Sequence, residues 1–259
     1  MMPQESLPTN TADPAPSSDS AKSGPERLVL ATESTVASGR YTALQQKIMT
    51  AISAPDARSK QRLVGPSEIG GCPYCLGKRI ALSYPDIYPD EEPDLRTSYP
   101  AWLGTALHYY LEHHIPFGEH EIRVPIVDIE GYGSISGHID FYCDEEVVDF
   151  KNLGKYSSDK AEKAWNSERG ILPIVAYRVQ QHLYALGVKQ SGREVTHVNL
   201  MILPKLGKSF RDIRFYREPY NQEVVDKALD RLRLIVETVR AGELESIPED
   251  DDCYNCSFK

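Results

Sequence analysis

Apolar and polar residues follow helical and strand periods in turn along most of the chain. Apolar positions three and four apart predict helices, over residues 41–54, 98–115, 172–188 and 221–242. Alternating apolar and polar positions predict strands, over residues 120–129, 133–143, 146–151, 194–203 and 210–217. The glycines of segment 65–84 divide it into a short helix, a loop and a second helix near Gly77–Tyr84. From residue 98 onward the order is helix, three strands, helix, two strands and helix, which predicts an α/β sheet with helices packed on it.

The beginning of the chain differs in composition from the rest. Residues 1–38 are rich in Pro, Ser, Thr, Ala and Asp and poor in large apolar residues, so we expect a disordered tail and then a single domain over 39–259. The 259 residues are 41% hydrophobic, which suffices for one large core. No apolar run approaches the about 18–20 residues of a membrane span, and no signal-peptide pattern is present. We therefore expect a cytoplasmic protein without a membrane partner, and the sequence leaves its oligomeric state open.

Charge is unevenly distributed along the chain. The net charge is −9, which argues against a simple electrostatic nucleic-acid binder. Residues 151–217, however, hold 13 Lys or Arg against 5 Asp or Glu, a local balance of +8. This segment is either a phosphate-binding face or a set of ordinary solvated surfaces.

The stretch "GHIDFYCDEEVVDFK" (137–151) predicts two strands joined by a tight acidic turn. Counting outward from that turn places Asp140 directly opposite Asp149, where Cβ atoms on one face are about 4.5–5.5 Å apart. Lys151 shares the face of Asp149, because it lies two residues further along the strand. One face of the hairpin therefore gathers two carboxylates and a lysine.

Two carboxylates this close repel each other, so one must bind a proton or the pair must bind a cation. Oxygen ligands suit a hard divalent cation such as Mg²⁺ or Mn²⁺. Lys151 beside such an ion would help to activate a water molecule and offset negative charge in a transition state. The alternative is a surface hairpin whose charges are solvated.

Five cysteines occur in the chain, and four of them form two Cys-x-x-Cys pairs: Cys72, Cys75, Cys253 and Cys256. An odd number of cysteines in an apparently cytosolic chain argues against a disulfide framework. We expect segments 65–84 and 243–259 to come together so that the two pairs bind one metal centre. Four thiolates suit either Zn²⁺ or an iron–sulfur cluster. We interpret Cys143, the fifth cysteine, as a buried small hydrophobic residue.

These motifs, in this order, resemble the PD-(D/E)XK nucleases of the RecB-like branch. "GHID" followed by "VVDFK" resembles their motifs II and III, and "QQHLY" resembles their Q-x-x-x-Y motif through Gln180 and Tyr184. His108 in "GTALHYYLE" lies on the preceding helix, where these enzymes supply a histidine metal ligand. "SEIGGCPYC" is similar to the first cysteine region of the iron–sulfur subset, which includes the CRISPR-associated RecB-like exonucleases and AddB.

The resemblance implies a restriction-endonuclease-like core of helix, three-stranded meander, helix and strand. It implies catalytic roles for Asp140, Asp149 and Lys151, and Mg²⁺ or Mn²⁺ held by these ligands: His108, Asp140, Asp149 and the carbonyl of Phe150. Gln180 and Tyr184 would bind the substrate strand or brace the site. The resemblance also favours a [4Fe–4S] cluster over zinc, although the iron–sulfur enzymes typically place one cysteine upstream and three near the C-terminus.

The implied function is a metal-dependent exonuclease acting on DNA ends or single strands. A structure-specific endonuclease and a non-catalytic, zinc-stapled DNA-end-binding protein are the alternatives. No helicase motif is present, so a helicase or recombination partner would supply any unwinding.

Overall fold

A computed structural model of the chain describes residues 42–52, 63–88, 98–165 and 174–256. The chain divides after Met49, and the sheet and both sites described below lie in the second unit, Thr50–Lys259. The tail expected over residues 1–38 lies outside the described residues. The helices are α1 Ala43–Ile52, α2 Pro66–Ile69, α3 Pro73–Ala81, α4 Ser98–His114, α5 Lys155–Trp165, α6 Ile174–Gln190 and α7 Gln222–Arg240. None of these helices is long and apolar enough to span a membrane.

The expected α/β class is confirmed by a mixed sheet of five strands in the order β1-β2-β3-β4-β5. The strands are β1 Glu119–Ile129, β2 Gly133–Cys143, β3 Glu146–Leu153, β4 His197–Pro204 and β5 Arg214–Pro219. The first three form an antiparallel meander, β4 runs parallel to β3, and β5 returns antiparallel to β4. The parallel pair requires a crossover, which α5 and α6 supply.

The β2–β3 hairpin has the predicted register. Cys143 pairs with Glu146 across a two-residue turn, and both turn residues have positive φ angles, 49° at Asp144 and 62° at Glu145. Positive φ at both central positions is the backbone of a tight hairpin turn that matches strand twist. Cys143 is half-buried at the end of β2, less buried than expected.

One helix and several boundaries differ from the sequence expectations. Helix α5 was not predicted, because its sequence "KYSSDKAEKAW" contains few large apolar residues. Its Ala161 is fully buried, in a small cluster with Leu200 and Ile202. The second helix of segment 65–84 begins earlier than expected, at Pro73, a residue suited to the first helical position. The strand expected over 210–217 begins only at Arg214, because residues 210–212 form a 3₁₀ turn.

The main core lies between one face of the sheet and helices α2, α3, α6 and α7. Its fully buried side chains include Ile69, Ile80, Ile139, Leu183 and Leu232. Helix α2 approaches α6 closely: a Cβ atom at Gly70 would lie 2.6 Å from Cα of Ala176. The segment just before Cys72 is thereby fixed against the helix that carries the Q-x-x-x-Y residues.

Candidate active site and cysteine cluster

Asp140 lies at the point where the paired register of β2 and β3 ends. The last paired residues are Phe141 and Val148, so Asp140 and Asp149 occupy the next opposing positions, as the sequence predicts. Oδ2 of Asp140 accepts a hydrogen bond of 2.7 Å from the backbone amide of Phe150. A side chain of β2 therefore takes the place of a backbone carbonyl and holds the Asp140 carboxylate against β3.

His108 on α4 approaches both of its predicted co-ligands. Its Nδ1 lies 3.4 Å from Oδ1 of Asp140, and its Nε2 lies 3.0 Å from the carbonyl oxygen of Phe150. The imidazole is partly buried, with 22% of the side chain exposed. One ring thus reaches two oxygen atoms that come from different strands.

Glu121 on β1 is a third side chain at this point, and the sequence interpretation missed it. Its Oε1 lies 4.0 Å from Nδ1 of His108, and potential ligand atoms of Glu121, His108 and Asp140 all lie within 4.8 Å of one another. Neighbouring pairs in the β1–β2 ladder place Glu121 opposite Asp140. Glu121 has a φ of 47°, an uncommon backbone conformation for a residue other than glycine that concentrates at functional sites.

Asp149 is fully buried and forms an ion pair with Lys151, although it is not one of the three residues in that ligand group. Nζ of Lys151 donates to the Asp149 carboxylate over 2.8 Å and lies 5.3 Å from the ring centroid of Tyr177. Burial disfavours the ammonium, but the carboxylates of Asp149 and Asp140 outweigh it and raise the pKa of Lys151. The ion pair therefore favours the charged, ammonium form of Lys151.

The charged form of the Asp140 carboxyl group is disfavoured in this site. Burial, and then the nearby charge of Asp149, raises the pKa of Asp140 to about 8, against the opposing effects of Lys151 and the Phe150 amide. A carboxyl group with so high a pKa gains strongly from a second cation. An imidazole nitrogen, two carboxylates and a backbone carbonyl are donors that Mg²⁺ and Mn²⁺ accept, so the residues fit the ion that the sequence predicts.

Gln180 and Tyr184 lie inside the protein. They are 4% and 6% exposed, and Nε2 of Gln180 donates to the Tyr184 hydroxyl over 3.0 Å. The Tyr184 ring packs against Gly137 on β2, where a Cβ atom would lie 2.6 Å from Cε1 of the ring. Of the two roles that the resemblance implies, these contacts fit bracing of the strand that carries Asp140.

The four cysteines of the two Cys-x-x-Cys pairs come together, as expected. Sγ of Cys72 lies 3.6 Å from Sγ of Cys256, and Sγ of Cys75 lies 3.6 Å from that of Cys253 and 3.7 Å from that of Cys256. All four sulfur atoms lie within 4.8 Å of one another. Cys143 is not part of this group.

Comparisons with known proteins give remote similarities. No family model matches the chain, and no curated protein does either. Among solved structures it is similar to an alkaline exonuclease from Laribacter hongkongensis, with a TM-score of 0.48 and 10% identity over 73% of this chain and 93% of that one. It is also similar to a phage-related exonuclease from Haemophilus somnus 129PT, with a TM-score of 0.44 and 13% identity over 74% and 99% of the two chains. A putative exonuclease from Eubacterium rectale gives a TM-score of 0.35 and 14% identity over 76% and 75%.

Proposed function

We propose that the protein is a divalent-metal-dependent deoxyribonuclease of the PD-(D/E)XK type, in the RecB-like branch, which hydrolyses phosphodiester bonds at DNA ends or in single strands. The observation that carries this proposal is the convergence of His108, Glu121 and Asp140 beside the buried Asp149–Lys151 pair. If the site were only a structural ion pair, it would not require Asp140, a second buried carboxylate whose pKa is raised to about 8.

The three clustered side chains and the carbonyl of Phe150 would hold Mg²⁺ or Mn²⁺. When bound, the ion supplies positive charge at the scissile phosphate. Asp140 is fixed by the Phe150 amide, so its second oxygen faces His108. Asp149, the fourth predicted ligand, keeps the ammonium of Lys151 in place from the adjacent position on β3.

Lys151 would position the attacking water and stabilise the negative charge that develops on the phosphate oxygens. Because Asp149 and Asp140 raise the pKa of Lys151, we assign it the role of a positive charge and not that of the base. Its orientation is set on two sides, by the Asp149 carboxylate and by the face of Tyr177. Such preorganisation lets the charge act without rearrangement during the reaction.

Much of the positive charge in segment 151–217 is already paired within the protein. Besides Lys151–Asp149, the described ion pairs of this segment are Arg178–Glu218, Arg193–Glu119, Arg214–Asp159, Arg214–Glu162, Arg217–Glu146 and Lys155–Asp159. The arginines pair with residues of other elements, whereas Lys155 pairs within α5. Because their charges are already compensated, all of them are poor candidates for phosphate contacts.

The β4–β5 connection, residues 205–212, is the better candidate for the DNA-binding surface. Lys205, Lys208 and Arg211 have no carboxylate partner among the described ion pairs, and Phe210 is 93% exposed. The amide of Lys205 donates to the carbonyl of Leu153, two residues beyond Lys151 on β3, over 2.8 Å. Exposed cations with an interleaved aromatic ring suit a single strand, through phosphate contacts and base stacking.

End-labelled single-stranded and duplex DNA, together with a closed circular DNA, tests the proposal. With Mg²⁺ or Mn²⁺ the linear substrates should be degraded and the circle should resist, and EDTA should stop all cleavage. If the circle is cleaved as fast as the linear substrates, the enzyme is an endonuclease that uses the same site, and not an exonuclease. A folded protein that degrades none of these substrates with either metal would contradict the proposal.

A further inference from the structure

The spacing of the four cysteine sulfurs distinguishes between kinds of metal centre. A tetrahedral zinc ion has metal–sulfur bonds of about 2.3 Å, so its four sulfurs lie about 3.8 Å apart. Three of the sulfur pairs here are 3.6, 3.6 and 3.7 Å apart, and all four sulfurs lie within 4.8 Å of one another. These distances match the edges of that tetrahedron.

The same distances do not fit the [4Fe–4S] cluster that the resemblance implies. In such a cluster each thiolate binds a different iron at a corner of an iron–sulfide cube, so the whole cube separates the sulfurs. A [2Fe–2S] centre likewise separates its two pairs of thiolates. Here Cys75 approaches both Cys253 and Cys256 as closely as ligands of one ion do, which leaves no room for bridging sulfide.

The distances also exclude disulfide bonds in this structure, because a disulfide requires sulfurs about 2.05 Å apart. Two contacts of 3.6 Å run between the two pairs, from Cys72 to Cys256 and from Cys75 to Cys253. Each Cys-x-x-Cys pair therefore faces the other across the centre of a compact group.

The surroundings supply what a dianionic zinc–tetrathiolate needs. The backbone amides of Cys75 and Asp250 favour the thiolate form of Cys72, and the guanidinium of Arg231 interacts electrostatically with Cys72. Arg231 is itself held in place by a hydrogen bond to the carbonyl of Ile69. Amide donors and a fixed cation around the thiolates stabilise their negative charge, as partners beyond the ligands do at other metal sites.

We infer that Cys72, Cys75, Cys253 and Cys256 bind a single tetrahedral zinc ion and that this ion joins the C-terminal segment to helix α3. The apolar contacts around the site run between the same two segments. A Cβ atom at Gly77 would lie 2.7 Å from Cδ1 of Ile247 and 3.0 Å from Cδ1 of Leu244, so α3 and the C-terminal segment touch directly. Tyr74 adds a hydrogen bond of 3.1 Å to Glu245.

The zinc centre is tested without any nuclease assay, so its failure and that of the proposed nuclease are separate results. The full chain is produced with both iron and zinc in the medium, purified without oxygen, and analysed for metals and acid-labile sulfide. We expect one zinc per chain, no labile sulfide and a colourless protein. Iron and labile sulfide in several equivalents per chain, with a brown colour, would overturn the inference.

Exchange of the ion for Co²⁺ provides an independent readout on the unmodified chain. One equivalent should give the intense visible absorption of tetrahedral cobalt bound to thiolates, and equimolar Zn²⁺ should abolish it. Cys143→Ser is the matched control and should keep one zinc, while Cys253→Ser should lose it. Should Cys253→Ser fail to fold, the wild-type cobalt titration still decides the outcome. A weak absorption typical of octahedral cobalt would contradict the four-thiolate site.

Discussion

The carboxylate of Asp140 and the backbone amide of Phe150 are joined by a hydrogen bond of 2.7 Å across β2 and β3. The carbonyl of the same Phe150 lies 3.0 Å from Nε2 of His108. One backbone position therefore fixes the acid with its amide and offers a ligand oxygen with its carbonyl. The candidate metal site is built on three strands and a helix, and not on loops, which favours precise placement of its residues.

Asp140→Asn should stabilise the metal-free protein while abolishing cleavage. The asparagine carbonyl can still accept the Phe150 hydrogen bond, and the costly buried charge is removed. Burial and Asp149 raise the pKa of Asp140 from 3.8 to about 8, so the folded state holds this proton more tightly than the unfolded state. Stability of the metal-free wild type should therefore fall as pH rises through that interval, by an amount on the order of a few kcal/mol. Denaturant titrations in EDTA at about pH 5 and about pH 8.5 measure it.

The asparagine variant should show a flatter pH dependence than the wild type and a higher stability at the upper pH. Added Mg²⁺ should stabilise the wild type and leave the variant unchanged, because only a state that binds the ion gains from it. Identical pH profiles for the two proteins in EDTA would show that Asp140 carries no buried charge.

Glu121→Gln should raise the Mn²⁺ concentration needed for half-maximal cleavage by at least about tenfold, because the variant removes one negative ligand. Glu119→Gln is the matched control: it changes an exposed glutamate on the same strand, which pairs with Arg193, and should leave the Mn²⁺ dependence unaltered. Glu121→Gly should lose metal affinity in the same way and gain stability, since glycine adopts the φ of 47° without strain. Equal Mn²⁺ dependence in Glu121→Gln and wild type would remove Glu121 from the ligand set.

Lys151→Met should destabilise the protein as well as inactivate it. Asp149 is fully buried, so loss of the ammonium leaves its carboxylate uncompensated, at a cost of about 3–5 kcal/mol in the free energy of unfolding. The double variant Asp149→Asn with Lys151→Met should recover most of that stability, because it buries no unpaired charge. Urea denaturation of the three proteins in EDTA measures the effect. A double variant no more stable than Lys151→Met would contradict the ion pair.

The β4–β5 connection should contribute phosphate contacts that do not depend on base sequence. In an Asp140→Asn background, Lys205, Lys208 and Arg211 are changed to Gln, and the binding constant for single-stranded DNA is measured at several salt concentrations. The slope of the logarithm of the binding constant against the logarithm of the salt concentration should become shallower by about two, because about two fewer counterions are released. Lys227→Gln is the control, because this exposed lysine on α7 pairs with Glu223. An unchanged slope in the triple variant would show that DNA binds to a surface other than the β4–β5 connection.

The local sequence pattern was sufficient to predict which side chains share one face of the β2–β3 hairpin. The two-residue turn fixes the register from Cys143 and Glu146 outward, so Asp140 and Asp149 fall on opposing positions by counting alone. The two cysteine pairs were also expected to lie together, because two Cys-x-x-Cys motifs supply the four thiolates that complete one metal centre. The sequence leaves open how many metal ions this centre holds. That number follows from the distances between the sulfur atoms, which depend on how α3 packs against the C-terminal segment.

The position of Glu121 opposite Asp140 could not be predicted by counting residues from a turn. The β1–β2 register shifts by one residue between Pro125 and Val127, so counting from the β1–β2 turn would place Ile122, and not Glu121, opposite Asp140. A bulge of this kind is a common way to redirect a side chain beside a site. Helix α5 was missed for a different reason: its stability comes from partners elsewhere in the chain, such as the contacts of Arg214 with Glu162 and Asp159, which periodicity does not reveal.

The measurement that tests the account most directly compares the wild type with the Asp149→Asn, Lys151→Met double variant on end-labelled DNA in saturating Mn²⁺. The double variant is expected to remain folded, so its denaturation midpoint serves as the internal control. The wild type should rapidly remove the labelled end, and the variant should show no cleavage above the metal-only background. Wild-type rates in the folded double variant would contradict the assignment of this carboxylate–lysine site as the catalytic centre.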